Sequence, residues 1–417
     1  MAPTTLADWL AHLESLHPKT IALGLDRVDQ VKERLKLDPA FKIITVGGTN
    51  GKGSTCAMLE NILNIAGYRT GLYTSPHLLR YNERVRLNRE ASNDAGLCEA
   101  FEAVENARGD VPLTYFEFGT LAAMCLFVRA RVDVAILEVG LGGRLDAVNA
   151  FDSGCAIVTS IGLDHTEYLG KTLDAIGTEK AGIYRPHKPA IFGDEQLPAT
   201  VREHANSIGA EFLTLGEDFK FSRQDTQWQF LGRRGNHHGL PYPALRGGHQ
   251  LNNASAALAA LDELREVLPV TLQDIKRGLL ELDLPGRFQV LPGQPTVILD
   301  VAHNPPAVKM LAQQLGHMGR FRKTHAVFGM LRDKDIGGVV NIMAGLIDIW
   351  HLGSIDAARG ASAEDLLTFF SGGRGGSVSC YPSVALAYDA ACRQAEQDDR
   401  IVVFGSFYTV AEALKRS

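Results

Sequence analysis

The sequence predicts an α/β protein of two units, each built on a mostly parallel sheet with helices on both faces. Three observations predict this. Short β-rich apolar runs alternate with helical patterns from residue 42 to about residue 160. The alternation restarts near residue 296 and runs to the C-terminal region as a second doubly wound sheet. Between the two lies the chain-breaking run Leu284-Pro285-Gly286-Arg287-Phe288. A chain of 417 residues is too long for one core, so two or three domains are expected. The crossover is placed near 283–292, giving units 1–285 and 286–417.

The run 42–46 reads as a buried strand. Directly after it, Gly47-Gly48-Thr49-Asn50-Gly51-Lys52-Gly53-Ser54-Thr55 reads as a glycine-rich turn that opens a helix at 56–60. Such a turn presents backbone N–H groups and a helix N-terminus to phosphate, and Lys52 adds a point charge suited to β/γ oxygens. A nucleotide user is therefore expected. The loop departs from the G-x-x-x-x-G-K-[ST] pattern. Val46 stands where its first glycine would be, and Gly53 follows Lys52, so the first hydroxyl, on Ser54, comes one residue late.

Runs 69–73, 132–138 and 155–160 read as further strands, with a helix at 116–129. Asp133-Val134-Ala135-Ile136-Leu137-Glu138-Val139-Gly140-Leu141-Gly142-Gly143-Arg144-Leu145-Asp146 brings Glu138 to the C-terminal edge of a strand, the side on which doubly wound sheets bind ligands. A carboxylate there, beside a phosphate loop, suits Mg²⁺, which needs few protein ligands. Thr159-Ser160-Ile161-Gly162-Leu163-Asp164-His165 repeats the design. His165 can ligate a metal, orient a phosphate or cap a helix, and Asp164 serves as readily in an Asx-turn. Lys180, in the helix-like Gly177-Thr178-Glu179-Lys180-Ala181-Gly182-Ile183, reads on these residues alone as a surface salt-bridge partner.

Segment 219–243 sets Phe219, Phe221, Trp228 and Phe230 among polar residues and predicts antiparallel strands, followed by a helix at 252–267. In the second unit strands are expected at 296–300, 324–328, 347–352 and 401–404, with helices from 305 and at 383–396. Asp300-Val301-Ala302-His303-Asn304-Pro305-Pro306 follows the first of these strands. Asn304 can cap the next helix and Pro305 is allowed in its first turn. Asp300 is placed to take ribose hydroxyls, and His303 to approach a base or phosphate. Gly372-Gly373-Arg374-Gly375-Gly376 reads as a loop.

Apolar content of 45% and charged content of 22% are ordinary for a soluble globular protein. A net charge of −6 argues against a protein that coats nucleic acid. No apolar run approaches the roughly 20 residues that span a bilayer. Met1-Ala2-Pro3-Thr4-Thr5 begins no secretory signal pattern. Six cysteines without a C-x-x-C pair read as reduced thiols in a cytoplasm, with no zinc site.

Taken together, these segments resemble the ATP-dependent amide-bond ligases of the Mur ligase superfamily. Within it the resemblance is to the folylpolyglutamate synthase family, most closely its bifunctional bacterial members. It is carried by Thr49-Asn50-Gly51-Lys52-Gly53-Ser54, Thr74-Ser75-Pro76-His77-Leu78, the run from Leu137 to Asp146, Leu163-Asp164-His165, Glu179-Lys180-Ala181-Gly182, Pro285-Gly286-Arg287-Phe288 and Asp300-Val301-Ala302-His303-Asn304-Pro305, in the family's order over nearly the whole chain. The late hydroxyl after Lys52 is normal in that family. The resemblance implies an N-terminal P-loop-type ATPase domain carrying a pterin site, and a smaller C-terminal Rossmann-like α/β domain on the glutamate side. It implies that Thr49, Asn50, Gly51, Lys52, Gly53 and Ser54 hold the phosphates of ATP. Asn253, Arg287 and Asp300 match nucleotide contacts, with His303 in the same motif. Ser75, Glu138 and His165 match magnesium ligands. Lys180 matches a lysine carbamylated by CO₂, which would serve a second Mg²⁺ and overturns the salt-bridge reading. Lys52, Lys180 and His165 are the implied catalytic residues.

For the pterin substrate the matching positions are Ala22-Leu23-Gly24, Thr114-Tyr115-Phe116-Glu117, and Arg144 to Asp146. An aromatic pair to stack a pterin and a carboxylate to accept its N–H donors are sensible chemistry, although the same residues read equally as a helix start with a buried aromatic. Ala22 is small where close relatives carry a polar residue. The implied activity adds L-glutamate to 7,8-dihydropteroate and then to reduced folates, through an acyl phosphate, in a cytoplasmic monomer. A folate-extending enzyme without the first activity is the alternative. A regulatory nucleotide switch is disfavoured by the second α/β unit, and a cell-wall ligase by the pteroate-like stretch.

Overall fold

The computed structural model describes residues 3–17, 22–370 and 376–417. The glycine run expected as a loop therefore lies outside the described residues except for Gly376. The chain divides into one unit of Met1–Ala244 with Gln250–Leu282 and a second of Leu245–His249 with Asp283–Ser417.

The first unit is organised by an eight-stranded sheet. Its strands are β1 (Lys42–Gly47), β2 (Thr70–Tyr73), β3 (Val85–Leu87), β4 (Glu90–Ala91), β5 (Val134–Glu138), β6 (Cys155–Val158), β7 (Pro189–Phe192) and β8 (Glu211–Thr214), in the order β4-β3-β2-β5-β1-β6-β7-β8. All pairs are parallel except β2 with β3 and β3 with β4. β1, β5 and β6 are buried on both faces, and their sequences are correspondingly continuous apolar runs rather than alternating ones. β1 lies between β5 and β6, in registers that pair Val46 with Glu138 and Gly47 with Val158. Three strand ends are thereby set side by side at one edge.

The helix Lys52–Ile65, which follows β1, is buried at every position from Ser54 to Leu63. It packs against β1, β2 and β5 and also against the helices Gln250–Glu263 and Leu272–Leu280. An all-round buried helix needs such cover on both sides. The strands β9 (Phe219–Arg223), β10 (Gln227–Gly232) and β11 (Gly235–Pro241) form an antiparallel sheet of their own, as expected for 219–243. At its β10–β11 turn, Arg233 and Arg234 pair with Glu263, at the end of the helix Gln250–Glu263.

In the second unit β12 (Gln289–Leu291), β13 (Thr296–Leu299), β14 (Thr324–Phe328), β15 (Ile349–Gly353), β16 (Ser377–Tyr381) and β17 (Arg400–Phe404) take the order β12-β13-β17-β14-β15-β16. Only β12 runs antiparallel. Its core centres on Phe328, Trp350 and Phe404, whose rings contact one another. Two fully buried imidazoles cross this sheet: His325 Nδ1 lies 3.2 Å from His351 Nε2, and His351 Nδ1 lies 3.3 Å from the Tyr381 hydroxyl. Asp399 closes the chain 3.4 Å from His325 Nε2, and Arg322 forks onto the same carboxylate. Among the described residues no helix is long and apolar enough to cross a membrane.

Candidate active site

The loop between β1 and the helix Lys52–Ile65 is held in shape by bonds to the residues that follow β6. Thr49 N donates to Ser160 O at 2.8 Å, and Asn50 N donates to Ser160 Oγ at 3.1 Å. The Ser160 and Thr159 hydroxyls both donate to Asn50 O, at 3.0 and 2.7 Å. Thr49 Oγ1 donates to Gly162 O and accepts from Gly162 N. Two glycines are required here. Gly48 has φ +141° and its Cβ would collide with the Thr159 hydroxyl; Gly51 has φ +90° and its Cβ would collide with the Asn253 side-chain amide. Asn253, buried, is oriented by donating from Nδ2 to Gln250 Oε1 at 2.9 Å. Thr159 and Ser160 carry no role on sequence grounds alone. Hydroxyls at a strand end next to a glycine loop were the signal.

Two lysines share one acceptor. Lys52 Nζ donates to Gly48 O at 3.1 Å and to Thr49 O at 3.3 Å, while Lys180 Nζ donates to Gly48 O at 2.8 Å. Lys180 is 4% exposed, so the surface salt-bridge reading fails: the helix Leu173–Ala181 carries it beneath the phosphate loop. Burial, and then the neighbouring Lys52 charge, lower its pKa to about 7, against the pull of Asp164 and Asp146. A pKa lowered in this way favours the neutral, nucleophilic form of the amine over the ammonium expected of an exposed lysine.

Glu138, at the end of β5, is 5% exposed and accepts from Ser75 N at 3.2 Å. Ser75 and Glu138 are thus neighbours. His165 takes a left-handed conformation, φ +50°, at the start of the short helix Thr166–Leu169, and its N–H donates to Asp164 Oδ1 at 2.8 Å. Among the described residues no three His, Cys, Asp or Glu side chains group to hold a metal ion. One buried carboxylate beside a serine, at the rim of a phosphate loop, does fit a hard oxygen-seeking cation that takes its other ligands from phosphate and water.

The three segments matched to the pterin are physically joined. Thr114 caps the helix Tyr115–Ala130 in a capping box with Glu117, whose Oε2 accepts from Thr114 N at 2.7 Å. Arg27, which sequence reasoning missed, forks onto the buried Glu117: Nη2 reaches Oε1 at 2.6 Å and Nε reaches Oε2 at 3.2 Å. Its Nη2 also donates to Ala22 O at 2.8 Å. Gly24 N donates to Leu145 O at 3.4 Å, tying Leu23-Gly24 to the loop after β5. Within that loop Asp146 accepts from the N–H groups of Gly140, Leu141 and Val148. Its side chain holds the turn, and burial lifts its pKa to about 6 despite those donors. Arg144 pairs with Glu179 at 2.8 Å, next to Lys180. Phe116 covers Gly140, where a Cβ would meet its ring, and packs on Tyr73. Tyr115 lies against Tyr81, and the Arg84 guanidinium sits over both rings.

In the second unit Asp300 is fixed by accepting from Phe288 N at 2.9 Å and Ala302 N at 2.8 Å, and burial raises its pKa. Asn304 caps the helix Pro305–His317, which has proline in its first turn, as the sequence predicts. His303 Nδ1 is 2.8 Å from Val301 O, and since a carbonyl oxygen accepts, Nδ1 carries the proton of that bond. The Phe407 ring stands against both His303 and the Arg287 guanidinium, and no sequence signal had singled it out.

The profile of the Mur ligase middle domain matches residues 46–261, and that of the Mur ligase glutamate ligase domain matches residues 286–407. The chain is 45% identical over 415 residues to the dihydrofolate synthase/folylpolyglutamate synthase of Escherichia coli K12, covering 99% of this chain and 96% of that protein. The structure of E. coli FolC in complex with DHPP and ADP superposes with a TM-score of 0.94 at 45% identity, over 100% of this chain and 98% of that one. A bifunctional folylpolyglutamate synthase/dihydrofolate synthase with Mn, AMPPNP and L-glutamate bound gives a TM-score of 0.92 at 45% identity, with the same coverage.

Proposed function

The chain belongs to the Mur ligase family, and we propose from that premise how its own residues carry out the ligation. It is an ATP-dependent ligase that joins L-glutamate to 7,8-dihydropteroate, and further glutamates to reduced folates. ATP and a divalent cation are its cofactors. A free carboxylate is a poor electrophile, so the substrate acid first attacks the γ-phosphate of ATP, giving an acyl phosphate and ADP. The amine of glutamate then attacks the acyl carbon, and phosphate leaves.

One observation carries this reading. The lysine-bearing phosphate loop and the carboxylate Glu138 stand on neighbouring strand ends, and the chain leaving Glu138 is the one bonded to the 22–24 segment through Leu145. We assign Thr49 to Ser54, with Asn253, Arg287, Asp300 and His303, to the nucleotide. Ser75, Glu138 and His165 are assigned to Mg²⁺, which when bound supplies Lewis-acid charge to the transferring phosphoryl group. Lys52 neutralises phosphate charge as it shifts, a role in which fixed positioning does most of the work. Ala22 to Gly24, Thr114 to Glu117, Arg144 and Asp146 are assigned to the pterin. Residues 1–285 form the ATP and pterin part, and 286–417 the glutamate side.

We further assign Lys180 to carbamylation. Its neutral amine adds to CO₂ with loss of one proton, giving an N-carboxylate and converting a cation into an anionic oxygen ligand for a second Mg²⁺. The low exposure of Lys180 and its lowered pKa support this. A cytoplasmic location accords with six cysteines free of disulfides, and a monomer is the state the family resemblance implies.

The test is direct. Purified protein given ATP, Mg²⁺, L-glutamate and dihydropteroate labelled with heavy oxygen in its carboxylate is expected to make dihydrofolate and to release labelled inorganic phosphate. Unlabelled phosphate would exclude the acyl-phosphate route, and absence of dihydrofolate would leave only folate extension.

A further inference from the structure

Glu117 is 3% exposed and sits at the first turn of the helix Tyr115–Ala130. A capping box alone would account for one of its oxygens. The other partner comes from 90 positions earlier in the chain: Arg27, at the start of the helix Asp26–Leu35, delivers two N–H groups in a fork. Forked guanidinium–carboxylate pairs fix the plane of the carboxylate as well as its place. The donors leave room for one more. Oε2 accepts from Thr114 N and Arg27 Nε, whereas Oε1 accepts from Arg27 Nη2. A carboxylate oxygen takes two N–H donors, so Oε1 keeps one acceptor place. The same Arg27 nitrogen that reaches Oε1 also holds Ala22 O. One guanidinium thus sets the carboxylate and, at the same time, the main chain of the 22–24 segment.

We propose that Arg27 is the positioning residue of the pterin site, holding Glu117 with its open acceptor place toward a pterin N–H and locking the 22–24 segment beside it. This rests on the ligase reading above. Arg27 itself touches neither the phosphate loop nor Glu138 among its hydrogen bonds, so its loss should be felt in acid recognition and not in nucleotide recognition.

Steady-state kinetics of Arg27→Ala, Arg27→Lys and Glu117→Gln test it. The expected result for Arg27→Ala is a rise of about tenfold or more in KM for dihydropteroate, the loss typical of a charge-assisted bond, with KM for ATP and for glutamate unchanged. Arg27→Lys keeps the charge but not the fork and should recover part of that loss. The double variant Arg27→Ala/Glu117→Gln should be no worse than the poorer single one. An equal rise in KM for ATP, an unchanged KM for dihydropteroate, or additive effects in the double variant would overturn the proposal. If Arg27→Ala does not fold, Arg27→Lys and Glu117→Gln decide on the same criteria. A wild-type protein that ligates glutamate to neither pteroate nor folate would instead overturn the ligase reading, and this proposal with it.

Discussion

Lys180 and Lys52 meet on the carbonyl oxygen of Gly48. Of the two, only Lys52 is legible as functional from its local pattern, because a lysine inside a glycine turn at a helix start has a stated chemistry, whereas Lys180 is singled out only by the family resemblance. Lys180 sits in a helical pattern whose neighbours, Glu179 and Arg144, do form an ion pair, so a salt-bridge reading was natural one residue out of place. Its burial comes from the loop above it, which no local pattern reveals. Arg27 was invisible for the same reason, since its partner lies 90 residues away. Replacing Lys180 with Ala is expected to lower turnover at least about a hundredfold, the scale on which a fixed charge-stabilising group acts. Near-normal turnover of a folded Lys180→Ala variant would remove the carbamate from the mechanism. Mass spectrometry of the native protein, with and without CO₂, checks the modification itself.

Among the elements, long helices with caps were the most readable. The helix expected at 116–129 is Tyr115–Ala130, and that expected at 383–396 is Val384–Gln394. The buried strands β1, β5, β14 and β17 were readable as apolar runs. The strands β7, β8 and β16 were not: β7 opens on a proline, β8 on the exposed Glu211, and β16 is largely exposed, so none shows a continuous apolar run along its whole length. The capping box at Thr114 gives an element-scale prediction. Thr114→Ala leaves the Thr114 N–H to Glu117 bond possible but removes the hydroxyl that accepts from Glu117 N. A loss of about 1 kcal/mol is expected in chemical unfolding, together with a higher KM for dihydropteroate, because the same turn carries Glu117. Stability loss with no change in that KM would separate the cap from the site.

For the whole molecule, acid sensitivity is expected to come in part from imidazoles kept neutral inside the fold. Burial, then the adjacent His325, push His351 down to about 4 from its ordinary 6.5. Between those values the unfolded chain binds a proton that the folded chain does not, so stability falls as pH drops through this window and levels off below it. The Tm of the wild type should fall further between pH 7 and pH 5 than that of His351→Gln; equal falls would show that His351 does not contribute. The broad plan of two α/β units was readable because each repeats the strand–helix alternation, while the detached sheet of β9, β10 and β11 was readable by contrast with it. The phosphate loop, Glu138 and Lys180 lie between β1 and the helix Leu173–Ala181, and so do Thr114–Glu117 and Arg144–Asp146; the 22–24 segment and Arg27 stand ahead of that stretch and are joined to it through Leu145 and Glu117. On the assignment proposed above, that leading stretch is the piece a chimera can exchange with least disturbance to the loop that handles phosphate, and such a chimera is expected to change which carboxylic acid is ligated while its KM for ATP stays as it is.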